Sequence, residues 1–349
     1  MRQKTAFVTG ITGQDGAYLA QFLLQKNYRV VGATRRASTL NLPRLAELKI
    51  ASDVDLMTLD VQDFTSIVRM LDDVCPDEIY HLGGQSSVQA SFQQPLYTAQ
   101  TTGSGTLRML QAIQLVAPQA RFYHASSSEI FGQSTGQSAD NMVNETTSFK
   151  PNSPYGVAKL FAHWSIINQR EAYGLHAGSG IMFNHESPMR GMEFVTRKIT
   201  TSLAQIACGS QQVLTLGNLD NARDWGFAGD YVEAMWLMLQ QEKADDYVIA
   251  TGRTKSVRSF VELTAEVLGM ALRWEGEGAD CKGVDSKSGR VLVAVDQRFY
   301  RPSEPNPLCG DASKARKLLG WQPAIKFETL VQMMAEADLQ RARNGQVWY

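Results

Sequence analysis

Short apolar or β-branched runs alternate with segments of helical periodicity through the first half of the chain, and this alternation constrains the fold more than any other feature. Five runs predict strands, at residues 5–9, 29–34, 54–59, 78–82 and 121–126. The segments 17–25, 64–72 and 103–116 predict helices. Strands joined by helices form parallel sheets with right-handed crossovers, so we predict an α/β fold with a Rossmann-type doubly wound parallel sheet.

A change of pattern after Asn184 predicts a second domain, because the alternation breaks up and turns, basic residues and tryptophans become frequent. A chain of 349 residues is long enough for two cores. We predict a dinucleotide-binding domain over 1–184, with its sheet completed by part of 215–255. A smaller, mainly C-terminal α/β domain over 185–349 is expected to bind substrate and to be interleaved with the first.

Local patterns predict further elements in the C-terminal part. Residues 259–268 and 313–319 have helical periodicity, and Gly320 is a suitable stop for the second of these helices. Residues 275–289 are rich in glycine and charge, which predicts a mobile surface loop.

Charge and cysteine content argue against several classes of function. The 34 Lys and Arg residues balance 35 Asp and Glu residues, so the chain has no overall basic field for a nucleic acid. Its four cysteines are scattered, which predicts neither a metal site nor a disulfide scaffold. No apolar run reaches the ~20 residues that span a bilayer, and the amino terminus lacks the apolar core of a signal peptide. We therefore expect a cytoplasmic protein without a membrane partner.

Glycines open the first predicted helix. Gly10, Gly13 and Gly16 form GxxGxxG directly after the first strand, where backbone can approach a pyrophosphate and helix N–H groups face it. The spacing alone also fits a tight turn without a ligand. Its position between strand and helix favours a dinucleotide site.

The residues after the other strands refine this prediction. Arg35 and Arg36 follow the second strand, where an NAD-binding protein carries an acid, so we predict NADP with Arg35 on the 2′-phosphate. Arg36 can equally extend into solvent. Ligands bind at the carboxyl ends of parallel strands. We accordingly assign to the cofactor site the residues that end the third and fourth strands, namely Asp60, Val61, Leu82, Gly84 and Gln85.

A catalytic group is predicted from Ser127, Glu129, Tyr155 and Lys159. Tyr155 and Lys159 are four residues apart, which puts both side chains on one face of a helix. A tyrosine with a pKa of about 10 needs a neighbouring cation to act as a base at neutral pH. Ser127 and Glu129 end the fifth strand, at the same end of the sheet. A bare YxxxK match is also common on ordinary helices, so the group as a whole carries the prediction.

Together these motifs resemble the extended short-chain dehydrogenase/reductase family. Longer stretches between residues 9 and 321 resemble, more narrowly, the GDP-mannose 4,6-dehydratases: TGITGQDGAYLA, SSSEIFG, PNSPYGVAKLFAHW, FNHESPMRGMEFVTRK, RDWGFAGDYVEAMW, and DQRFYRPSE before GDASKARKLLGW. The resemblance implies a redox-neutral lyase. Tyr155, helped by Lys159 and Ser127, would take the 4-hydroxyl proton while hydride passes from C4 to NADP+. Glu129 would remove the C5 proton and assist loss of the 6-hydroxyl as water, and hydride would return to C6.

The resemblance also implies binding residues and an assembly. It places near the cofactor Thr12, Gln14, Asp15, Tyr155, Lys159, His185 and Arg190. It places near the GDP-sugar Ser86, Asn184, Lys198, Arg223, Arg301 and Glu304. The stretch 35–45 resembles a loop that reaches a neighbouring subunit in this family, which implies a homotetramer or a homodimer.

Several residues depart from the family pattern, among them Phe131, which stands where tyrosine is common, and alternatives stay open. Ser127 stands where threonine is usual, and Gly83 and Gly84 stand where an alanine pair is usual, which predicts a looser wall beside the nicotinamide. Small changes near the sugar leave open a dehydratase of a related GDP-sugar such as GDP-manno-heptose. A nucleotide-sugar 4-epimerase or ketoreductase would not need Glu129. A nucleotide-sensing binding protein would keep the fold without turnover.

Overall fold

The computed structural model describes residues 2–37, 41–136, 142–296, 298 and 307–345. The strands of this part of the chain are β1 (Thr5–Thr9), β2 (Arg29–Thr34), β3 (Asp55–Thr58), β4 (Glu78–His81), β5 (Arg121–Ser127), β6 (Ala177–Met182), β7 (Asn184–Glu186), β8 (Leu214–Leu216), β9 (Ala222–Phe227), β10 (Tyr247–Ile249), β11 (Thr254–Ser256), β12 (Leu272–Glu275), β13 (Lys282–Asp285) and β14 (Val291–Val295). The α-helices are α1 (Gln14–Gln25), α2 (Pro43–Glu47), α3 (Phe64–Val74), α4 (Val88–Gln93), α5 (Pro95–Thr98), α6 (Gly105–Val116), α7 (Pro154–Tyr173), α8 (Val195–Ala207), α9 (Ala228–Gln240), α10 (Val257–Val267), α11 (Ser313–Leu319) and α12 (Phe327–Arg343).

The first compact unit contains a seven-stranded sheet. The unit is built from the segments Met1–Phe183, Ala228–Thr251 and Gly310–Gln322. Its strands lie in the order β10-β6-β5-β4-β1-β2-β3, and every neighbouring pair is parallel. The order reverses direction between β1 and β4, so the predicted doubly wound sheet is confirmed, and this switch point is where such folds bind ligands.

Helices cover both faces of this sheet, which explains the continuous apolar runs in its strands. All five residues of β1 and all six of β6 are buried. On one face, α3 and α6 supply Ile67, Leu71, Met109 and Ile113 to a core that continues into Phe122 of β5. On the other face, α1 packs against α9. The predicted helix at 313–319 and its stop are confirmed, since Gly320 ends α11 with a positive φ of 68°.

The second compact unit contains two smaller sheets. It is built from the segments Asn184–Phe227, Gly252–Cys309 and Pro323–Tyr349. Its sheets have the orders β11-β9-β7 and β12-β13-β14-β8. Their apolar faces pack with α8, α10 and α12 around Trp225 and Phe260. Among the described residues, no helix of either unit is long and apolar enough to cross a membrane.

The predicted loop at 275–289 was wrong, because most of this segment is ordered as sheet and turn. It begins at the end of β12 and contains a 3₁₀ turn, Gly278–Asp280, followed by β13, which pairs antiparallel with both β12 and β14. Cys281 and Val284 are buried in this hairpin. The glycines that suggested disorder instead turn the chain, since Gly276 and Gly278 have positive φ angles.

A buried ion pair joins α8 to α12 in the second unit. Arg197 Nε lies 3.2 Å from Asp338 Oδ2, and both side chains are fully buried. The Asp338 carboxylate also accepts hydrogen bonds from Thr200, Thr201 and Arg341. The pair is stabilising only while these partners are in place, because an unpaired buried charge carries its full desolvation cost.

We expect Asp338→Ala to lower the free energy of unfolding by about 3–5 kcal/mol, since it leaves the Arg197 guanidinium buried without its carboxylate. Urea unfolding followed by circular dichroism measures the change. The control is Glu275→Ala, which removes an exposed ion pair with Arg273 in the same unit and should cost less than about 1 kcal/mol. Equal effects of the two variants would contradict the assignment.

Candidate functional site

Two glycines let α1 begin directly against the turn after β1. Gly10 has a φ of 72°, a conformation that residues with a side chain rarely adopt. A Cβ atom on Gly16 would lie 2.3 Å from the carbonyl oxygen of Gly10 and 2.7 Å from Cα of Ile11. The third glycine has a different role. Gly13 is the N-cap of α1 without any side-chain cap, and a Cβ there would meet only the Gly10 oxygen, at 3.2 Å. Its missing side chain therefore leaves the N-terminus of α1 accessible to an anion.

A cavity of about 430 Å³ lies at the carboxyl ends of β1 to β4. The predicted residues that line it are Gly10, Thr12, Gly13, Arg35, Asp60, Val61, Leu82, Gly84 and Ser86. Gly83 of the predicted nicotinamide wall also lines the cavity. The lining residues that were not predicted are Thr9, Ala33, Thr34, Leu59, Gln62, Tyr97 and Thr101. The predicted residues Gln14, Asp15, Gly16, Gln85, Tyr155 and Lys159 are not among its lining.

Arg35 is held at this cavity by a residue that sequence reasoning missed. Its Nη1 donates a hydrogen bond of 2.6 Å to the hydroxyl of Tyr97, which comes from α5. No local pattern connects these residues, because they are 62 positions apart. Arg36 is exposed and does not line the cavity.

The loop after β4 is packed by threonine hydroxyls. Thr9 Oγ1 accepts the N–H of Gly83 at 2.9 Å, and Thr102 Oγ1 accepts the N–H of Gln85 at 3.2 Å. A Cβ on Gly83 would lie 3.0 Å from Thr9 Oγ1, and one on Gly84 would lie 3.1 Å from Thr102 Oγ1. An added methyl group at either glycine would therefore be in tight contact with one of these hydroxyls. The looser wall at this position stays a prediction.

The chain brings Glu129 to the first turn of α7. Ser127 ends β5, and its Oγ accepts the N–H of Glu129 at 3.3 Å, which begins the 3₁₀ turn Ser128–Ile130. Ser153 caps α7 by accepting the N–H of Gly156 at 3.0 Å. A Cβ on Gly156 would lie 2.7 Å from the carbonyl oxygen of Glu129. The backbone next to Tyr155 and the backbone of Glu129 are therefore in close contact.

Lys159 lies in a buried position between α7 and the sheet. Its Nζ donates a hydrogen bond of 2.5 Å to the carbonyl of Ala125 in β5 and lies 5.7 Å from the ring centroid of Tyr155. Burial lowers the pKa of Lys159 to about 8, although the charge of Asp15 acts in the opposite direction. The four predicted catalytic residues all belong to the first unit. Ser127 and Glu129 lie at the end of β5 and just after it, and Tyr155 and Lys159 lie in the first two turns of α7.

The remaining predicted residues belong to the second unit. Asn184 and His185 lie on β7, which pairs with β9, the strand that carries Arg223. Arg190 forms an ion pair of 3.1 Å with Glu186. Two further predicted residues, Arg301 and Glu304, lie outside the described part of the chain.

Lys198 lies on α8 of the same unit. Burial lowers its pKa, while the charge of Asp296 acts in the opposite direction. Its role in binding stays a prediction, as do those of the other residues assigned to substrate.

A protein-family model described as GDP-mannose 4,6 dehydratase matches residues 7–334. The chain belongs to the GDP-mannose 4,6-dehydratase family. Curated relatives with this name match over nearly the whole chain. A GDP-mannose 4,6-dehydratase of Sinorhizobium fredii is 47% identical, with 98% of each chain covered. The GDP-mannose 4,6 dehydratase of Homo sapiens is also 47% identical, over 98% of this chain and 93% of its own.

Solved structures of other proteins share the fold of this chain. A dTDP-glucose 4,6-dehydratase of Bacillus anthracis in complex with NAD has a TM-score of 0.79 at 19% identity, and covers 99% of this chain and 98% of its own. The RMD protein of Pseudomonas aeruginosa in complex with NADPH has a TM-score of 0.74 at 23% identity, and covers 97% of this chain and 100% of its own.

A matched glycine pair tests the geometry of the α1 turn. We expect Gly16→Ala to cost about 1–3 kcal/mol of stability, because its Cβ meets backbone atoms that cannot move independently. Gly13→Ala should change stability by less than about 1 kcal/mol but should weaken binding of a dinucleotide, since its methyl group covers the N-terminus of α1. Urea unfolding and isothermal titration calorimetry with NADP+ measure the two effects. Wild-type affinity in Gly13→Ala would rule out an approach of the pyrophosphate at this turn.

Proposed function

We propose that this chain converts GDP-mannose to GDP-4-keto-6-deoxymannose by redox-neutral dehydration with NADP. The observation that supports the proposal is the close approach of the Glu129 backbone to the first turn of α7, the turn that carries Tyr155. We propose that the Glu129 carboxylate acts beside the tyrosine and lysine pair. A simple dehydrogenase needs the pair and the hydroxyl of Ser127. Elimination of water needs an additional base, and Glu129 supplies it.

Tyr155 takes the proton of the sugar 4-hydroxyl. The buried ammonium of Lys159 favours the phenolate form of Tyr155, because an adjacent positive charge stabilises the anion. Ser127 orients the same hydroxyl group by a hydrogen bond. Bound NADP+ would accept hydride from C4 and return it to C6.

Glu129 performs the elimination. A ketone at C4 acidifies the C5 proton, which Glu129 removes and then delivers to the departing 6-hydroxyl, so that water leaves. Two protons leave the substrate, one from the 4-hydroxyl to Tyr155 and one from C5 to Glu129. Glu129 gives its proton to the departing hydroxyl, which leaves as water, and Tyr155 returns its proton to C5 as hydride returns to C6. The reaction therefore requires no added reductant and no net proton.

The lining of the cavity suits the adenosine and pyrophosphate parts of a nicotinamide dinucleotide. The uncapped N-terminus of α1 suits the pyrophosphate, and Asp60 and Val61 lie where an adenine would be bound. Solved structures of the same fold contain NAD or NADPH, which supports a nicotinamide cofactor. The guanidinium of Arg35 at the end of β2 favours NADP, because it complements the 2′-phosphate.

The GDP part of the substrate would be bound by residues of the second unit. The names of the curated relatives support GDP-mannose as the sugar nucleotide. We propose that Lys198, Arg223 and Arg301 neutralise the diphosphate, as ammonium and guanidinium groups do for phosphate. The other proposed contacts are Ser86, Asn184 and Glu304.

A homo-oligomer is part of the same proposal. Val157, Phe161 and Trp164 lie on one face of α7 and are 55%, 48% and 55% exposed. Their spacing of four and three residues makes a continuous apolar stripe. Such a stripe on a helix is suited to pack against the same helix of a second copy, in a dimer or within a tetramer.

The proposed base has a direct test. Purified protein incubated with GDP-mannose, without added reductant, should give a product lighter by the mass of one water, without net change in NADP. Glu129→Gln should lower the rate of this product at least about 100-fold, because a general base contributes 10²–10⁴ in rate. Mass spectrometry follows the product, and calorimetry checks that NADP+ still binds.

Two outcomes of this experiment would contradict parts of the proposal. Undiminished dehydration by Glu129→Gln would refute the role of Glu129. Turnover of GDP-manno-heptose but not of GDP-mannose would replace the proposed substrate. The control variant is Glu275→Gln, an exposed carboxylate of β12, which should leave the rate unchanged.

The relative affinity for NADP+ and NAD+ tests the proposed role of Arg35 separately. We expect Arg35→Ala to weaken NADP+ at least about 10-fold while changing NAD+ affinity little, because only NADP+ carries the 2′-phosphate. Arg36→Ala is the matched control, since Arg36 does not line the cavity. Calorimetric dissociation constants for both cofactors decide the matter, and equal weakening of NADP+ and NAD+ would contradict the assignment.

A further inference from the structure

Three buried histidines lie on β4, β5 and α7 and have no role in the proposed mechanism. His81 ends β4, His124 is its register partner in β5, and His163 lies one turn after Lys159 on α7. All three side chains are at least 98% buried. The rings of His81 and His124 are stacked, with centroids 6.0 Å apart and an angle of 25° between their planes.

This group contains polar atoms that the protein itself leaves unsatisfied. They are Nε2 of His81, both ring nitrogens of His124, Nδ1 of His163 and Oγ of Ser126, and none has a hydrogen-bond partner among the residues that the structure describes. The described residues also form no group of metal-ligating side chains that could bind these nitrogens to an ion. Buried polar atoms without a protein partner are normally satisfied by internal water.

Burial, helped by the charge of Lys159, keeps His81 and His124 neutral. Burial lowers the pKa of His81 to about 3, and the nearby ammonium of Lys159 acts in the same direction. Burial, with Lys159, His81 and His163, also lowers the pKa of His124 well below its usual value. Asp15 is the acidic group that faces Lys159 from α1. At neutral pH the ammonium therefore has neutral imidazoles, and no second cation, behind it.

The stacked pair is also connected to the wall of the cavity. Nδ1 of His81 and Oγ1 of Thr9 are 3.0 Å apart, and the same Oγ1 accepts the N–H of Gly83. The hydroxyl of Thr9 can then donate its proton to Nδ1 of His81, which leaves the ring proton on Nε2. On the other side, the ammonium of Lys159 is bound to the carbonyl of Ala125, the residue between His124 and Ser126.

We infer that His81 and His124 are positioning residues for Lys159. Together with Ser126 they bind internal water, and this neutral, hydrogen-bonded layer solvates the buried ammonium and holds it at the carbonyl of Ala125. The layer replaces the bulk water that the lysine loses on burial. The inference rests on the proposed function only in the sense that Lys159 is taken as the partner of Tyr155.

The test measures the protonation of Lys159 directly. Protein labelled with ¹³C at lysine Cε is titrated by NMR with NADP+ bound, and the Lys159 signal is assigned by its loss in Lys159→Arg. We expect the wild-type midpoint to lie below that of an exposed lysine, because burial disfavours the ammonium. His124→Leu should lower this midpoint by about one unit, because the ammonium loses polar solvation. Ser126→Ala, a smaller change that removes one polar atom, should lower it in the same direction.

Two further variants separate solvation from packing. His124→Gln keeps a hydrogen-bonding group and should retain the wild-type midpoint. Phe122→Leu changes the packing of the residue stacked on the other side of His81 without removing a polar atom, and should also retain it. An unchanged midpoint in both His124→Leu and Ser126→Ala, or an equal shift in Phe122→Leu, would overturn the inference.

The outcome does not depend on turnover. If GDP-mannose is dehydrated, the alkaline limb of kcat should move with the NMR midpoint in each variant. If GDP-mannose is not dehydrated, the proposed function is contradicted, but the titration still tests the role of the histidine pair.

Discussion

Parallel pairing of β1 to β5 is the constraint on which the site in the first unit depends. Because the strands run in one direction, the segments that follow them all leave the sheet at the same edge. Gly10, Arg35, Asp60, Gly84 and Ser127 follow different strands and are far apart in the sequence, yet they lie along this edge. An antiparallel arrangement of the same strands would send alternate segments to opposite edges.

Missing side chains let two helices begin at that edge. Gly16 allows α1 to pack on the turn after β1, and Gly156 allows α7 to pack on the turn that carries Glu129. In both places the nearest atom to an added Cβ is a backbone carbonyl oxygen, which cannot move away as a flexible side chain could. The two contacts fix the start of α1 beside the predicted pyrophosphate and the start of α7 beside the predicted base. The predicted pyrophosphate site and the predicted base are therefore positioned by the same kind of backbone contact.

The buried charges of the two units differ in how far neighbouring groups compensate them. In the second unit, Asp338 pairs with Arg197 and accepts hydrogen bonds from neighbouring hydroxyls, so the charges are compensated and the pair joins two helices. In the first unit, the ammonium of Lys159 has a backbone carbonyl and neutral rings near it, and its pKa is lowered to about 8. Full compensation supports structure, whereas partial compensation leaves a group able to exchange its proton near neutral pH.

The sequence by itself determined the doubly wound sheet, the glycine turn and the residues at the strand ends. It also determined the family membership that the long motifs indicate. Each of these depends on local spacing: period in a strand or helix, glycine at a turn, or four residues between Tyr155 and Lys159. One prediction from local composition was wrong. The glycine and charge content of residues 275–289 predicted a loop, but β13 in this segment pairs with β12 and β14.

Only the tertiary structure decided which distant side chains meet. The bond from Arg35 to Tyr97, the stacking of His81 on His124 and the contact of Thr200 with Asp338 each join separate elements. Such contacts depend on strand register and on the angle at which helices pack, and neither is encoded in the spacing of a single segment. The motifs therefore predicted the residue types at the site, while packing determined their partners, their burial and the pKa of Lys159.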